Sequence, residues 1–442
     1  MNKTIGAILL FLMIGTALCA RDLTLDLAKE LALKNYPAYL AAQEELKAAK
    51  SGRLNAYSGL LPSANLQASQ TRYEPGQVIG ANTAEKLNTY GFSVTQPIFN
   101  GGKIWFSARM QEDAVKIARE TLRMTKYETL AGVEEQYFSV LENKQLLTIA
   151  EMALQSSKTN LEVAQAKYDA GLITRGEYLQ IQSEKTSKFV SVLQIKNLYQ
   201  TSIMGLINYL QIGLIENIAP VDTMSYKSLL EKIQHLSLDQ IDVISELCVQ
   251  YGLEHNPALK IADISVNTSK KTLLMAGGNF LPSINLSFTK NWSKYNFSSD
   301  YTDNQTITLA ASLPIFPIVD NVTNYTQKNH ELKKVKFQYQ DSQDAIITGI
   351  KSQFLNLVSA AHSIIASRES RTQAKETYEQ VQEFFAQGLS SSNELLAAQT
   401  MYLAAQNQQV QSLYDFLRAR SALQQLLGSE EDILTQLIEM KR

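Results

Sequence analysis

Hydrophobic and polar residues alternate with a period of two in four short stretches of the chain. The clearest pair of stretches places its apolar residues at Ile284, Leu286, Phe288 and Trp292, and then at Ile307, Leu309, Ala311, Leu313 and Ile315. Ser, Thr and Asn fill most of the positions between them. The stretch at Phe92–Ile98 alternates in the same way, and the one at Ala64–Tyr73 is the weakest of the four. This period is typical of strands with one apolar and one wet face, so we predict two β-hairpins.

Long stretches without proline follow each predicted hairpin. Residues 103–170 contain a single glycine, Gly132, which predicts a helix of about 100 Å at 1.5 Å per residue. Gly171 and Gly388 interrupt the helical pattern in the two halves of the chain. The predicted long helices are therefore 103–170, a second one ending near 210, 321–387, and 393–427. Helices of this length cannot bury an apolar seam alone, so we predict antiparallel coiled-coil pairs that also pack against copies of the chain.

The two halves repeat one another in sequence. Leu61–Leu66 recurs as Leu281–Leu286 at an offset of 220 residues, and Gly171-Leu172 recurs as Gly388-Leu389 at an offset of 217. Each repeat is predicted to begin with two shorter helices, near 25–35 and 37–58 in the first and 242–254 and 258–275 in the second. We predict a signal peptide at 1–20, a first repeat at 21–215, a polar aperiodic linker at 216–240, a second repeat at 241–428 and a tail at 429–442.

The N-terminus has the pattern of a secretory signal. Lys3 precedes an apolar run over residues 5–14, which is too short to cross a bilayer, and small residues lead to a predicted cleavage after Ala20. Cys19 raises the alternative of lipid attachment, although Leu18 stands where that motif requires a small residue. Cleavage leaves Cys248 as a lone cysteine, so an internal disulfide is not expected.

Composition and motifs argue against several classes of protein. The formal net charge of −2 gives no basic field for nucleic acid. No later run of 18 apolar residues predicts a transmembrane helix, which leaves a water-soluble protein or a β-barrel. His255 occupies a turn before a proline, and none of the four histidines lies in a metal motif. Neither a nucleophile elbow nor a phosphate-binding loop is present, so we expect no enzyme, no metal and no cofactor.

Four strands cannot close a barrel, because an open edge in hydrocarbon leaves backbone groups unpaired. The predicted hairpins therefore indicate two or three copies of the chain around one barrel. Aromatic residues near the hairpin ends fit a girdle at a membrane interface: Tyr73, Tyr90, Trp292, Tyr295, Phe297 and Tyr301. The alternative is a soluble sandwich with these residues in its core, and the signal peptide favours the membrane.

Several motifs resemble the TolC-like outer-membrane efflux protein family over nearly the whole mature chain. These are Asn35-Tyr36-Pro37 with its counterpart His255-Asn256-Pro257, the two Leu-Pro-Ser segments, and the turn from Tyr168 to Leu172. The resemblance implies a mixed α and β fold with internal duplication. In it a homotrimer closes a transmembrane β-barrel, four strands per chain, above a periplasmic α-barrel of long antiparallel helices. It also implies an outer-membrane exit duct that works with a periplasmic adaptor (membrane fusion) protein and an inner-membrane pump.

The resemblance places a gate at the two helix-helix turns, with acidic residues six positions after each turn glycine. Here these are Glu177 and Glu394, which would form a ring of six carboxylates favouring cations. Both also end S/T-x-x-E sequences, so the alternative role is helix capping, and the two roles can coexist. The family's other gate positions carry Phe385 in place of Tyr, Ser390 in place of a basic residue, and Ala397 in place of an acid. Arg175 and Tyr168 are candidates to replace that lock.

Two functions remain open on the sequence alone. The first is a passive exit duct of a tripartite efflux or type I secretion system. The second is a periplasmic coiled-coil adaptor or scaffold with soluble hairpins. The paired alternating strands favour the duct, because an adaptor has no evident need for them. The cargo and the class of pump are not encoded in these patterns.

Overall fold

The structure is a computed structural model that describes residues 22–79, 81–215, 217–221, 224–429 and 433–439. The predicted signal peptide and Cys19 lie outside the described residues. The helices are α1 (Leu25–Asn35), α2 (Pro37–Ser58), α3 (Lys103–Asp169), α4 (Arg175–Leu210), α5 (Met224–Gln234), α6 (Leu238–His255), α7 (Pro257–Gly277), α8 (Val319–Gln387), α9 (Ser392–Leu427) and α10 (Ile433–Glu439). The strands are β1 (Ser63–Ile79), β2 (Asn82–Asn100), β3 (Ser283–Tyr295) and β4 (Thr302–Ser312).

The four long helices form where the proline-free stretches predicted them. Helices α3 and α8 contain 67 and 69 residues, and α4 and α9 contain 36 residues each. Helix α1 starts at the predicted cap, because the Thr24 hydroxyl accepts a hydrogen bond from the Leu27 amide. Helix α6 begins at Leu238, before the predicted 242, because Ser237 and Gln240 form a capping box.

Helices occur in the segment predicted as a polar, aperiodic linker and in the predicted tail. The prediction of an aperiodic linker at 216–240 is wrong, because α5 occupies much of it and buries Leu229 and Ile233 one helical turn apart. The tail at 429–442 likewise contains α10, whose Leu434, Leu437 and Ile438 join the same core. Strand β1 also continues beyond Tyr73 to Ile79, past an irregularity in the ladder with β2.

The strands form one antiparallel sheet in the order β1-β2-β3-β4. Its ladders pair Ser63 with Thr95, Ser287 with Thr95, and Ser287 with Thr308. Residues paired in this way share a face, and alternate residues along a strand share it too. The sheet therefore presents one face composed of hydroxyl and amide side chains and one glycine over four successive rows. This hydroxyl–amide face contains Ser63, Asn65, Gln67, Ser69, Thr89, Gly91, Ser93, Thr95, Ser287, Thr289, Asn291, Ser293, Thr302, Asn304, Thr306 and Thr308.

The opposite face of the sheet is mainly apolar. We call it the apolar face, and its rows contain Ala64, Val94, Phe288 and Ile307, then Leu66 and Phe92, then Ala68, Tyr90 and Trp292. The Phe92 ring lies 5.6 Å from Phe288 and 6.3 Å from Trp292. Ile307 is nevertheless 75% exposed and Leu66 is 90% exposed within a single chain. This face therefore lacks a partner inside the sheet's own chain, as expected for a surface that meets lipid or other molecules.

The chain divides into two compact units that each take segments from both repeats. The described residues of the first unit fall within 22–41, 124–256 and 345–439, and those of the second within 42–123 and 257–344. The core of the first unit contains large buried side chains, including Tyr137, Phe138, Phe354 and Phe416. The Tyr137 hydroxyl lies 2.8 Å from the Leu23 carbonyl oxygen and 2.6 Å from that of Ala219. Burial of Tyr137 raises its pKa, so this hydroxyl stays protonated and can donate.

Cys248 lies in this same core. It is fully buried, and burial raises the pKa of its thiol to about 12. Its thiol is not part of a disulfide. A thiol in this environment behaves as a small apolar side chain and not as a nucleophile.

Asparagines from the two Asn-x-Pro regions each cap the end of a long helix. The Asn35 amide donates to the Leu210 carbonyl oxygen at 3.2 Å, at the end of α4. In the second repeat the histidine replaces the asparagine, and the neighbouring Asn256 donates to the Leu426 carbonyl oxygen at 2.7 Å instead. His255 stacks on Tyr251 and hydrogen-bonds its carbonyl oxygen, which agrees with a structural role for this histidine. Each repeat thus closes its second long helix with an amide from its own beginning.

The second unit contains the sheet, most of α2, all of α7 and the adjoining parts of α3 and α8. The Asp113 carboxylate on α3 is buried, and it pairs with Lys271 and accepts from the Thr268 hydroxyl at 3.2 Å. A buried carboxylate with these partners holds α3 and α7 in one register. None of the helices in the described ranges has both the length and the apolar character that crossing a bilayer requires.

Candidate functional site at the two helix turns

The first turn joins α3 to α4 with a left-handed glycine. Gly171 has a φ of +73°, its amide donates to the Tyr168 carbonyl oxygen, and the Leu172 amide donates to that of Lys167. The second turn repeats this geometry at Gly388, with a φ of +81° and equivalent bonds to Phe385 and Phe384. Both are Schellman motifs, which need a residue without a Cβ at the left-handed position. The two turn glycines predicted from the sequence therefore end α3 and α8.

Both helices that follow the turns begin with a complete capping box, as predicted. The Thr174 hydroxyl accepts from the Glu177 amide at 3.2 Å, and the Glu177 carboxylate accepts from the Thr174 amide at 2.8 Å. Ser391 and Glu394 make the same pair of bonds at 3.3 and 2.8 Å. These bonds satisfy amides that have no partner within the helix. The capping role of both glutamates is confirmed, and their pore role stays a prediction.

The hydrogen bonds also stabilise the charged form of both carboxylates. The backbone amide and hydroxyl of Thr174 lower the pKa of Glu177. The Ser391 amide and the Ser390 and Ser391 hydroxyls lower the pKa of Glu394. Ser390 donates to the Glu394 carboxylate at 2.7 Å, so the residue that stands in place of the family's basic gate position supports this anion instead. Glu177 and Glu394 are therefore charged at neutral pH.

A buried lysine links the two turns. The Lys167 ammonium donates to the Phe385 carbonyl oxygen and lies 4.4 Å from the centroid of the Phe385 ring. The lysine is only 8% exposed, and Phe385 is 2% exposed. Phe385 lies in the last turn of α8, where carbonyl groups carry partial negative charge. Lys167 of α3 thus places its charge at the C-terminal end of α8, beside a residue that is 218 positions away in sequence.

Sequence reasoning did not find Lys167. A lysine near the end of α3 interacts favourably with the dipole of its own helix. This local explanation gives no indication that the lysine contacts α8. A second, weaker link joins the helices that follow the turns, where the Gln180 amide donates to the Asn393 side-chain oxygen at 2.8 Å. Lys167 and Gln180 together connect the helix pair α3–α4 to the helix pair α8–α9 near the two turns.

The remaining predicted gate residues have different surroundings. Tyr168 stacks on Tyr178 with 5.4 Å between ring centroids, and so stays within its own turn. Phe385 belongs to a small apolar cluster with Ile181 and Leu395. Arg175 is the exposed first residue of α4, and Ala397 is exposed on α9. The structure therefore brings Phe385 to Lys167 and Ser390 to Glu394, and it leaves Arg175 and Tyr168 apart from these contacts.

A buried polar layer lies a few turns behind the cluster. The Tyr378 hydroxyl on α8 lies 2.6 Å from the Ser156 hydroxyl and accepts from the Asn160 amide at 3.2 Å. Gln382 donates to the Asn160 side-chain oxygen at 2.8 Å, and Gln399 of α9 donates to Ser157 at 2.9 Å. Buried hydrogen-bonded groups of this kind define one register between helices, because a shift would leave them unpaired.

The six predicted interface aromatics do not share one face of the sheet. Tyr90 and Trp292 are directly paired on the apolar face, and Tyr90 lies 5.8 Å from the Tyr301 ring. Tyr295 pairs with Leu87 on the opposite face and stacks on Phe297 beyond the strand end, at 5.3 Å. Tyr73 lies one residue past the paired Arg72, where the ladder becomes irregular. Tyr90 and Trp292 thus share the apolar face, and their role in an interface girdle stays a prediction.

Within the described ranges, no group of three or more His, Cys, Asp or Glu side chains is arranged to hold a metal ion. The turns instead offer fixed carboxylates, exposed leucines and a buried cation. Leu172 and Leu389 are 74% and 71% exposed at the two turns. This arrangement can attract or repel ions and can contact another protein, and it contains no reacting group.

Comparisons with known proteins agree with this geometry. The outer membrane efflux protein BepC of Brucella suis biovar 1 (strain 1330) is 22% identical over 344 residues, covering 77% of this chain and 72% of the relative. TolC of Escherichia coli (strain K12) is 19% identical, covering 86% of this chain and 77% of TolC. The crystal structure of VceC from Vibrio cholerae superimposes with a TM-score of 0.78 at 17% identity, covering 92% of this chain and 96% of VceC.

The match to a protein family covers both repeats. The sequence profile described as "Outer membrane efflux protein" matches residues 29–210 and 249–429, which include every element from the second turn of α1 to α9 except α5 and the start of α6. The fold shared with VceC combines a β-barrel sheet with long helices. The chain therefore belongs to the outer membrane efflux protein family, and it is a channel component of the outer membrane that extends into the periplasm and not an enzyme.

Proposed function

We propose that this chain is the exit duct of a tripartite efflux or type I secretion system and passively conducts cargo supplied by an inner-membrane pump. The observation that carries the proposal is the four-stranded sheet, which has one apolar face, one hydroxyl–amide face and two edge strands, β1 and β4. A sheet with these faces suits a barrel wall between lipid and a water-filled channel. A soluble adaptor would have no use for an exposed apolar face of this kind, so the observation favours the duct over the adaptor.

Closure of the barrel requires further copies of the chain. Strands β1 and β4 run in opposite directions, so β4 of one copy can pair antiparallel with β1 of the next. Three copies supply twelve strands, enough to surround a water-filled channel, whereas two would give a barrel of eight filled by side chains. We therefore propose a homotrimer, with one hairpin from each duplicated half, 21–215 and 241–428. In this proposal the segments 216–240 and 429–442 pack at the level of the periplasmic helices.

The helices support the same conclusion. Helices α4 and α9 have equal lengths, but α9 buries thirteen residues while α4 buries only Ile181, Leu206 and Leu210. The exposed side of α4 carries large apolar side chains: Leu179, Phe189, Val190, Leu193, Leu198 and Met204. Exposed apolar side chains along a long helix indicate a packing partner. We propose that the neighbouring subunit covers this side.

The two turns form the periplasmic gate in this proposal. Glu177 and Glu394 of three copies give six carboxylates around a narrow opening, which attract cations and repel anions. Lys167 holds the two turns of each copy together, in place of the family's usual lock. The partners are a periplasmic adaptor protein, which docks on the helices, and an inner-membrane pump, which supplies the energy.

The proposal is tested on the mature chain purified in detergent. We expect light scattering to give the mass of three copies after subtraction of detergent, and planar bilayers to show discrete conductance steps that favour cations. The protein should fractionate with outer membranes. A chain that remains monomeric in buffer without detergent would contradict the duct and favour the adaptor.

A further inference from the structure

Three cations lie together on the apolar face of the sheet, near its hairpin end. They are Arg72, Lys86 and Lys294, and we call them the cationic cluster. Arg72 pairs directly with Lys86 across β1 and β2, and Lys294 pairs with Asn88, two residues along from Lys86. Lys290 pairs with Phe92 on this same face, but it lies beyond the Tyr90–Trp292 pair and outside the cluster. Side chains in directly opposed and diagonal positions of a sheet are within interaction range of each other.

The direct pairing of Arg72 with Lys86 is unfavourable by itself, because like charges in opposed positions repel. The sheet nevertheless fixes this pair. The Asn296 side-chain oxygen accepts from the amides of Glu85 and Lys86 at 3.0 and 3.3 Å, and the Lys86 carbonyl oxygen accepts from the Asn296 amide. A repulsive pair that the backbone holds in place is stabilised when an anion lies between its members.

A carboxylate neutralises only part of the cationic cluster, because Arg72 pairs with Glu74 at 2.7 Å. The Lys294 ammonium donates to the Ser299 carbonyl oxygen at 2.9 Å, which satisfies one of its three donors without neutralising its charge. Lys86 is exposed. Two positive charges per chain therefore remain, on Lys86 and Lys294.

Aromatic rings border the cluster on the side of the apolar band, where Tyr90 pairs with Trp292 in the row next to Lys294. Lys294 also lies 5.6 Å from the Tyr301 ring centroid. Trp and Tyr mark the level at which hydrocarbon gives way to head groups. At the ends opposite the β-hairpin turns, the strands continue into helices. In a protein that extends into the periplasm, the β-hairpin turns therefore point away from the cell. The cluster therefore lies at the head-group level of the outer leaflet.

We propose that the cationic cluster binds the phosphate groups of the phosphorylated glycolipid that forms the outer leaflet of the outer membrane. The site faces lipid and not the channel, and its two unneutralised lysines, backed by Arg72, match a phosphate monoester near the bilayer surface. The adjacent apolar band contacts the acyl chains of the same lipid molecule. Binding at this site anchors the barrel at a defined depth.

The test measures binding of diphosphorylated lipid A to the purified full chain by native mass spectrometry, with phosphatidylcholine as the comparison lipid. We expect the Lys86→Gln, Lys294→Gln double variant to lose affinity for lipid A by about fivefold for each lysine removed. The matched control is Lys333→Gln, Lys336→Gln, which removes the same charge from exposed positions on α8 and should bind as the wild type does. Conductance should be unchanged in both variants, because the cluster lies outside the channel.

A second variant tests the site with the opposite sign. Glu74→Gln removes the carboxylate that neutralises Arg72 and should increase affinity for lipid A. This result also keeps the inference testable if the double variant fails to assemble. Equal affinity of wild type and both site variants, an equal loss in the α8 control, or complete displacement of lipid A by millimolar inorganic phosphate would each overturn the proposal.

Discussion

The ammonium group of Lys167 donates a hydrogen bond to the backbone carbonyl of Phe385, so α3 contributes a charged donor to the C-terminal end of α8. The same lysine packs over the Phe385 ring and is almost completely buried. A charge in this position needs a partner of opposite polarity, and the last turn of α8 provides one. This contact is therefore well suited to hold the two turns closed.

Replacing Lys167 should loosen the proposed gate. A charge-assisted hydrogen bond contributes about 1.5–3 kcal/mol, which corresponds to a change of about tenfold or more in the ratio of closed to open channels. Lys167→Met keeps most of the side-chain volume and removes the donor. We expect larger single-channel conductance or a higher open fraction for this variant in planar bilayers.

The matched control for this change is Lys158→Met, at an exposed position of the same helix. It removes an equal charge from α3 without touching the turns, and we expect wild-type conductance. A Lys167→Met channel that conducts as the wild type does would show that the contact is structural only.

Removal of the turn carboxylates should reduce cation preference. Glu177→Gln, Glu394→Gln preserves the capping boxes, because glutamine at this position also accepts the cap amide. The double variant therefore tests the charge alone. We expect a lower ratio of cation to anion permeability, measured as the reversal potential in a salt gradient, and unchanged cation preference would remove the ring from the mechanism.

The control for the ring separates capping from charge. Thr174→Ala, Ser391→Ala deletes the hydroxyl caps at a cost of about 1 kcal/mol each and leaves both carboxylates in place. These variants should be less stable but should keep their cation preference at neutral pH. A loss of preference equal to that of the glutamine variant would assign the effect to local helix unfolding.

The preference for cations over anions should also persist at mildly acidic pH. The cap hydrogen bonds hold the pKa values of Glu177 and Glu394 below the ordinary glutamate value of 4.5, so both stay charged as the pH falls to 5. Their stabilising effect is complete above that ordinary value and is lost only as the pH falls through the lower pKa of the folded state. In the wild type we expect the reversal potential to change only at pH values below the usual glutamate range. In the Thr174→Ala, Ser391→Ala variant, which lacks the hydroxyl caps, the same change should occur at a higher pH.

The two capping asparagines should differ in importance. Asn256 is 5% exposed and makes the shorter bond, so Asn256→Ala removes a buried amide donor from the part-buried Leu426 carbonyl and should cost about 1–3 kcal/mol. Asn35 is half-buried with a bond of 3.2 Å, so Asn35→Ala should cost less. The midpoint of thermal unfolding, followed by helical circular dichroism, should fall further for Asn256→Ala. The reverse order would contradict the role of these bonds.

Charge placed on the two faces of the sheet should have opposite outcomes. Ile307 and Thr308 are neighbours on β4, with Ile307 on the apolar face and Thr308 on the hydroxyl–amide face. A lysine on a lipid-facing position costs about 2–4 kcal/mol at the middle of the bilayer. We expect Ile307→Lys to reduce the amount of protein assembled in outer membranes, and Thr308→Lys to assemble normally and to shift ion preference towards anions.

Local signals made much of this fold predictable from its sequence. The turn glycines, the capping boxes and the alternation on β3 depend on residues within a few positions of each other, and all of them formed as predicted. Helix α5 was also readable, because Leu229 and Ile233 stand one helical turn apart, but the polar residues around them hid the pattern. The contacts that hold the turns were less accessible, since Lys167 meets a backbone carbonyl, which leaves no signature in sequence.

The internal duplication sets a further limit on what can be predicted from the sequence. Helices α4 and α9 arise from equivalent segments and have equal length, yet α4 buries three of its 36 residues and α9 buries thirteen. Lys167 likewise has Phe384 at the equivalent position of the second repeat. Comparing the repeats therefore predicts the backbone of each half and not the environment of its side chains, which depends on the neighbour that each helix meets.

The hydroxyl–amide face has a consequence for what can pass through such a barrel. Its sixteen positions carry no formal charge, so a wall built from three copies would bind a passing molecule of either sign only weakly and would exchange hydrogen bonds with it as water does. Cargo that has entered at the far end would meet no trap on its way out. A single outlet of this kind could serve chemically unrelated compounds, with the choice among them made before they reach it.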